Sequence, residues 1–164
     1  MEENLRSLLA SFEVLEHKIH YYHVKMTWEL FLLYHPFYQE LYDYFDQPED
    51  EIMERLDQLG MDIPSTLLSM VKESVVDESK EDILDIKRQL ECFKDDFDNI
   101  LELLQDIIKE SWDVEDYVTQ NMMIGYQQAI QKLQWKINKS LNNKNVVKWK
   151  TFMAFEDGVD WDDD

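Results

Sequence analysis

Four histidines occur in the 164 residues, and two of them, His23 and His35, bracket the apolar stretch HVKMTWELFLLYH. Asp50 follows after fourteen intervening residues, and Glu54 after three more, in PEDEIMERL. Imidazole and carboxylate together suit iron, manganese or zinc. Asp50 and Glu54 at i, i+4 share one face of a helix and offer two carboxylates to one cation, although in so acidic a chain the same spacing also describes a solvated face. His17, His20 and His23 stand at i, i+3, i+6 with no acid arranged to complete a site, and read as polar surface histidines. An intrachain di-iron site in a helix bundle needs two Glu-x-x-His pairs. The residues three before the four histidines are Val14, His17, His20 and Leu32, so that site is excluded.

Helices must position these groups. Leu5, Leu8, Leu9, Phe12, Leu15, Ile19 and Tyr22 recur at steps of three and four, which predicts an amphipathic helix over 4–24. Phe37, Leu41, Tyr44, Phe45, Ile52, Leu56 and Leu59 carry the period to about residue 60, with a kink at Pro48, which lacks an N–H. Gly60 reads as a C-cap, and Pro64 and Ser65 in MDIPSTLLSMVKES open a minor helix. Ile83, Ile86, Leu90, Phe93, Phe97, Ile100, Leu104 and Ile107 predict a third long helix over 81–111. Val118, Met122, Tyr126, Ile130, Leu133, Ile137 and Leu141 predict a fourth over 114–141. The expectation is an all-α four-helix bundle, residues 1–142, with a short helix in the crossover between helices 2 and 3. Residues 143–164 form an acidic, aromatic C-terminal tail.

A balance of 16 Lys+Arg against 36 Asp+Glu gives a net charge of −20. That surface repels phosphates and anionic lipids and attracts cations, and it also serves solubility. The single cysteine, Cys92, cannot form an internal disulfide and falls on an apolar helix side. The N-terminal segment is acidic where a signal peptide is basic, and no uncharged run approaches the roughly 18 residues of a membrane span. A soluble, cytoplasmic protein is expected.

Order and spacing together, His23, His35, Asp50, Glu54, resemble the ferroxidase signature of the Dps family, the mini-ferritins named for DNA protection during starvation. DEIMERLDQLG resembles the family's Asp-x-x-x-Glu-Arg segment leading into Leu-Gly, and MDIPSTL the opening of its short middle helix. EDYVTQNMMIGYQQAIQKLQW is similar to its last helix, from Asp-x-Val-Thr to Lys-x-x-Trp. The likeness runs in register over roughly residues 5–141.

The resemblance implies a ferritin-like bundle assembled as a hollow homo-dodecamer, with iron sites at twofold interfaces. His23 and His35 would come from one subunit, Asp50 and Glu54 from its neighbour. It implies oxidation of Fe2+, typically with H2O2 and otherwise with O2, storage of ferric mineral, and protection against oxidative stress. Asp116 matches a pore acid of the family, and Asn121 stands where a second is common; Asp113 and Asp116 read equally well as first-turn acids that cap the last helix. Val24 and Trp28 replace the Trp and Gly usual in the first loop, Pro36 replaces an acid after His35, and Pro48 precedes Asp50. No basic tail for gripping DNA is present, so direct DNA binding is not expected. The rival expectation is a non-catalytic helical assembly or binding protein whose prolines have disabled the metal site.

Overall fold

The structure is a computed structural model, and it describes residues 1–27, 31–78 and 85–141. The predicted tail, residue Trp28 and the predicted start of the third helix, Ile83 included, lie outside the described residues. Six helices appear among those described: α1 (Glu2–Lys25), α2 (Phe31–Asp43), α3 (Asp46–Gln58), α4 (Leu67–Glu73), α5 (Ile86–Asp113) and α6 (Tyr117–Ser140). Helix α1 packs along α2, α3, α4 and α5, and α5 packs along α6. The broken pair α2 and α3 acts as one arm of the bundle, so four long arms enclose the core, and α4 is the short crossover helix.

The stripe on α1 explains the packing. Leu5, Leu8, Phe12, Leu15 and Ile19 are all fully buried, each side chain contributing about 1.5–3 kcal/mol by leaving water. Phe12 sits at the centre, with ring centroids 5.1 Å from Phe45 and 5.9 Å from Tyr126. Among the described residues no helix is long and apolar enough to cross a membrane.

The two prolines act differently from one another. Pro48 lies in the first turn of α3, and the break falls at Tyr44 and Phe45. A proline ring collides with the carbonyl four residues earlier, here that of Tyr44, and cannot donate to it. The predicted kink is therefore present, displaced one turn upstream of the proline itself. Pro36, by contrast, is inside α2, which begins at Phe31 rather than near Phe37. The first turn of α2 was illegible because its apolar residues Leu32 and Leu33 point outward, 85% and 66% exposed.

The caps follow ordinary chemistry. Gly60, at φ +66°, closes α3: its N–H donates to Asp57 O at 2.9 Å and the Met61 N–H to Leu56 O at 2.9 Å. Thr66 caps α4 by accepting from Ser69 N, and Asp85 caps α5 by accepting from Arg88 N at 2.8 Å.

Candidate metal centre

His23 is in the last turn of α1 and His35 in the second turn of α2. The loop between them returns the chain so that their rings meet, with centroids 3.7 Å apart. His23 is buried, 8% exposed, and its Nδ1 lies 3.1 Å from the backbone oxygen of His35. A carbonyl can only accept, so Nδ1 carries the proton and donates, and the lone pair of the neutral ring is left on Nε2. Tyr42 packs edge-on against His23 at 5.2 Å and Phe31 against His35 at 4.3 Å. Burial, followed by the neighbouring His35, holds the His23 imidazole below its ordinary range. Both causes favour the neutral ring, the form that ligates metals.

Asp50 and Glu54 sit one turn apart on α3, both exposed. They are downstream of Pro48 in regular helix, so the proline leaves their shared face intact. Neither makes a hydrogen bond or ion pair among the described residues. Nor does the chain bring them to the histidines: among the described residues, no group of three or more His, Cys, Asp or Glu side chains is placed to hold a metal ion. One chain thus presents two separate halves, an imidazole pair and a carboxylate pair.

His20 stacks on Tyr42 at 4.4 Å and is half exposed, 4.0 Å from Glu16; His17 is exposed. Both belong to the surface of α1.

Asp116 is the N-cap of α6. Its carboxylate accepts from Thr119 N at 3.0 Å and from Arg55 Nη2 at 2.7 Å, while Arg55 Nε donates to Thr119 Oγ1 at 2.8 Å. Burial pushes this carboxyl up, but the bonds from Thr119 and Arg55 outweigh it and hold Asp116 below the usual carboxylate range. Asp113 and Asn121 are exposed near it.

Sequence reasoning missed two groupings that involve α3. The Arg55 clamp joins residues 61 positions apart, which no local pattern announces. The second is a carboxyl pair between α1 and α3: Glu49 Oε1 is buried without a hydrogen-bond partner, and Glu13 faces it. Burial first, then the charge of Glu13, pushes Glu49 from its ordinary 4.5 up to about 8. The folded chain therefore keeps a proton that the unfolded chain releases near 4.5. Stability from this group is present at acid pH and is lost as pH rises from about 4.5 to about 8. Replacing Glu49 by Gln should raise the thermal midpoint at pH 8 and flatten its pH dependence in that window. Parallel melting curves for the two proteins across pH 5–8 would refute the assignment.

The profile of the Ferritin-like domain family matches residues 2–146. The DNA protection during starvation protein of Listeria innocua is 29% identical over 138 residues, 82% of this chain and 86% of that protein. The crystal structure of Dps from Staphylococcus aureus superposes with a TM-score of 0.81 at 27% identity, over 85% of this chain and 93% of that one. Two structures of histidine-to-glycine variants of Listeria innocua Dps match with a TM-score of 0.81 at 25% identity, over 86% of this chain and 95% and 92% of theirs. The two histidines replaced there stand as far apart in that sequence as His23 and His35 do here. With the bundle, its crossover helix and these relatives in agreement, the chain belongs to the ferritin-like family, in its Dps branch.

Proposed function

We propose that this protein is an iron-storage mini-ferritin that oxidises ferrous iron at sites shared by two subunits and keeps the ferric product inside a shell of twelve chains. The observation that carries this reading is the separation of the halves. His23 and His35 sit ring to ring with the lone pair of His23 free on Nε2, and Asp50 and Glu54 stand unpaired on a different helix. A second copy turned about a twofold axis supplies to each half what it lacks. The flank of the histidine pair fits a covered surface, since Val24, Leu32 and Leu33 are 68%, 85% and 66% exposed.

Ferrous iron is the substrate. In this reading Glu54 is the bridge or the main anionic ligand, Asp50 balances cation charge, and the imidazoles of His23 and His35 complete an open coordination sphere. Two ferrous ions each give up one electron. Hydrogen peroxide takes both electrons with two protons and leaves as two waters, so no hydroxyl radical is released. The net charge of −20 draws cations toward the shell and its inner carboxylates. The same charge keeps duplex DNA away, so protection of DNA is indirect, in the cytoplasm, by removal of iron and peroxide.

Anaerobic ferrous iron plus peroxide should give rapid oxidation and a soluble ferric mineral with the wild-type protein. A His23→Ala/Glu54→Ala variant should lose it. Equal rates in the two proteins would remove these ligands and leave a non-catalytic assembly as the better reading. Native mass spectrometry checks the shell independently, at twelve times 19.9 kDa.

A further inference from the structure

Helix α3 has thirteen residues, is separated from α2 by the break at Tyr44 and Phe45, and has no side-chain cap at its start. A helix so short is marginal by itself, and its orientation is set by what it touches. Pro48, Ile52 and Leu56 bury one stripe, an apolar contact that holds the helix down but is not directional. The direction comes from α6. The hydroxyl of Tyr126 donates to Glu51 at 2.7 Å, and Arg55 reaches two acceptors at once, Thr119 Oγ1 and Asp116 Oδ1. The Arg55 and Asp116 side chains are only 14% and 13% exposed. Asp116 is itself pinned by the Thr119 N–H, so the anchor is the rigid first turn of a long helix.

We propose that Arg55 is a positioning residue for ferrous-iron binding: by clamping α3 to the N-cap of α6 it fixes the rotation at which Asp50 and its own neighbour Glu54 are presented. The inference rests on the site reading above. Arg55 touches none of the reacting atoms; it acts through the helix. The planar guanidinium is suited to the task because two of its N–H groups point along fixed directions, whereas an ammonium is a point charge on a flexible stem. The clamp also gives Asp116 a use distinct from pore lining, since its carboxylate is already occupied by an N-cap and a cation.

The test uses the assembled full-length protein and two conservative changes, Arg55→Lys and Asp116→Asn. Both should keep the mass of the shell and a thermal midpoint close to that of wild type. Both should weaken anaerobic Co2+ binding, followed by its visible absorption, about ten- to hundred-fold, as loss of a ligand-orienting partner does. The Co2+ band should also change shape, and the KM for ferrous iron should rise. The double variant should be no worse than either single one, because the two changes cut the same tie. His23→Ala is the reference. If His23→Ala binds Co2+ as wild type does, the site reading itself fails. If His23→Ala loses binding while Arg55→Lys and Asp116→Asn retain it, only the role of Arg55 is overturned. Loss of the shell or a steep fall in thermal midpoint in both variants also overturns it, because Arg55 would then hold the fold and not the site.

Discussion

Shells co-assembled from equal amounts of His23→Ala and Glu54→Ala chains should recover about a quarter of the wild-type rate of ferrous oxidation, although each variant alone is inactive. The argument is one of symmetry. In an isologous pair, each site takes the histidines of one chain and the carboxylates of the other. A pair made of two different variants has one site in which both halves are damaged and one in which both are intact. Random mixing makes about half of the pairs mixed, and half of their sites work. An intrachain site gives zero instead, since every chain then carries its own lesion. Stopped-flow oxidation by peroxide, with shell mass checked on the same sample, separates the two; an inactive mixed shell would rule out the shared site. The prediction depends on the finding that the two ligand pairs are apart within the chain, and does not require the pore or the tail to have any role.

Helix identity was legible because a buried stripe repeats at the period of the helix. Every member of the predicted α1 stripe, from Leu5 to Tyr22, is at most 1% exposed. The crossover helix was legible too, from Gly60 and the Pro64–Ser65 start, though Thr66 and not Ser65 does the capping. Where the pattern failed, the physics is local. At Phe31–Tyr34 a run of apolar residues carries no period, because part of it faces outward, and Pro36 imitates a helix start. At Pro48 the sequence located the cause of the break, while the break itself sits where the ring would strike the carbonyl.

The site was legible in residue types and less so in geometry. His23 and His35 were picked out by spacing, yet that their rings meet depends on how the loop returns the chain. The tautomer of His23 is set by a backbone carbonyl, which has no sequence signature. Arg55 was visible only as the residue after Glu54. Its partners, Asp116 and Thr119, lie on a helix that only the fold brings near, and the same holds for Glu13 beside Glu49 and for Lys18 beside Asp96.

Replacing Lys18 by Met should cost about 3–5 kcal/mol, far more than the loss of an exposed charge, because Lys18 is not at the surface. Its ammonium donates to Asp96 Oδ2 at 2.9 Å across α1 and α5, with the two side chains 7% and 11% exposed. Burial pushes the Asp96 carboxyl above its ordinary range, and Lys18 pulls it back. Without the lysine, Asp96 is a buried carboxylate with no cation, and it escapes the cost by taking a proton. The sign follows: its folded pKa rises further above the unfolded one, so the deficit of Lys18→Met grows as pH increases and shrinks toward pH 4. Removing both charges, as Lys18→Met/Asp96→Leu, should restore most of the loss, since a well-packed apolar pair can equal a buried ion pair. Urea titrations of the three variants and wild type at fixed protein concentration, at pH 5 and pH 8, give the coupling directly. A single variant no weaker than the double one would show that the pair contributes nothing. If the coupling is found, the bond is a determinant of register between α1 and α5, and α1 is the helix that delivers His23 to the interface.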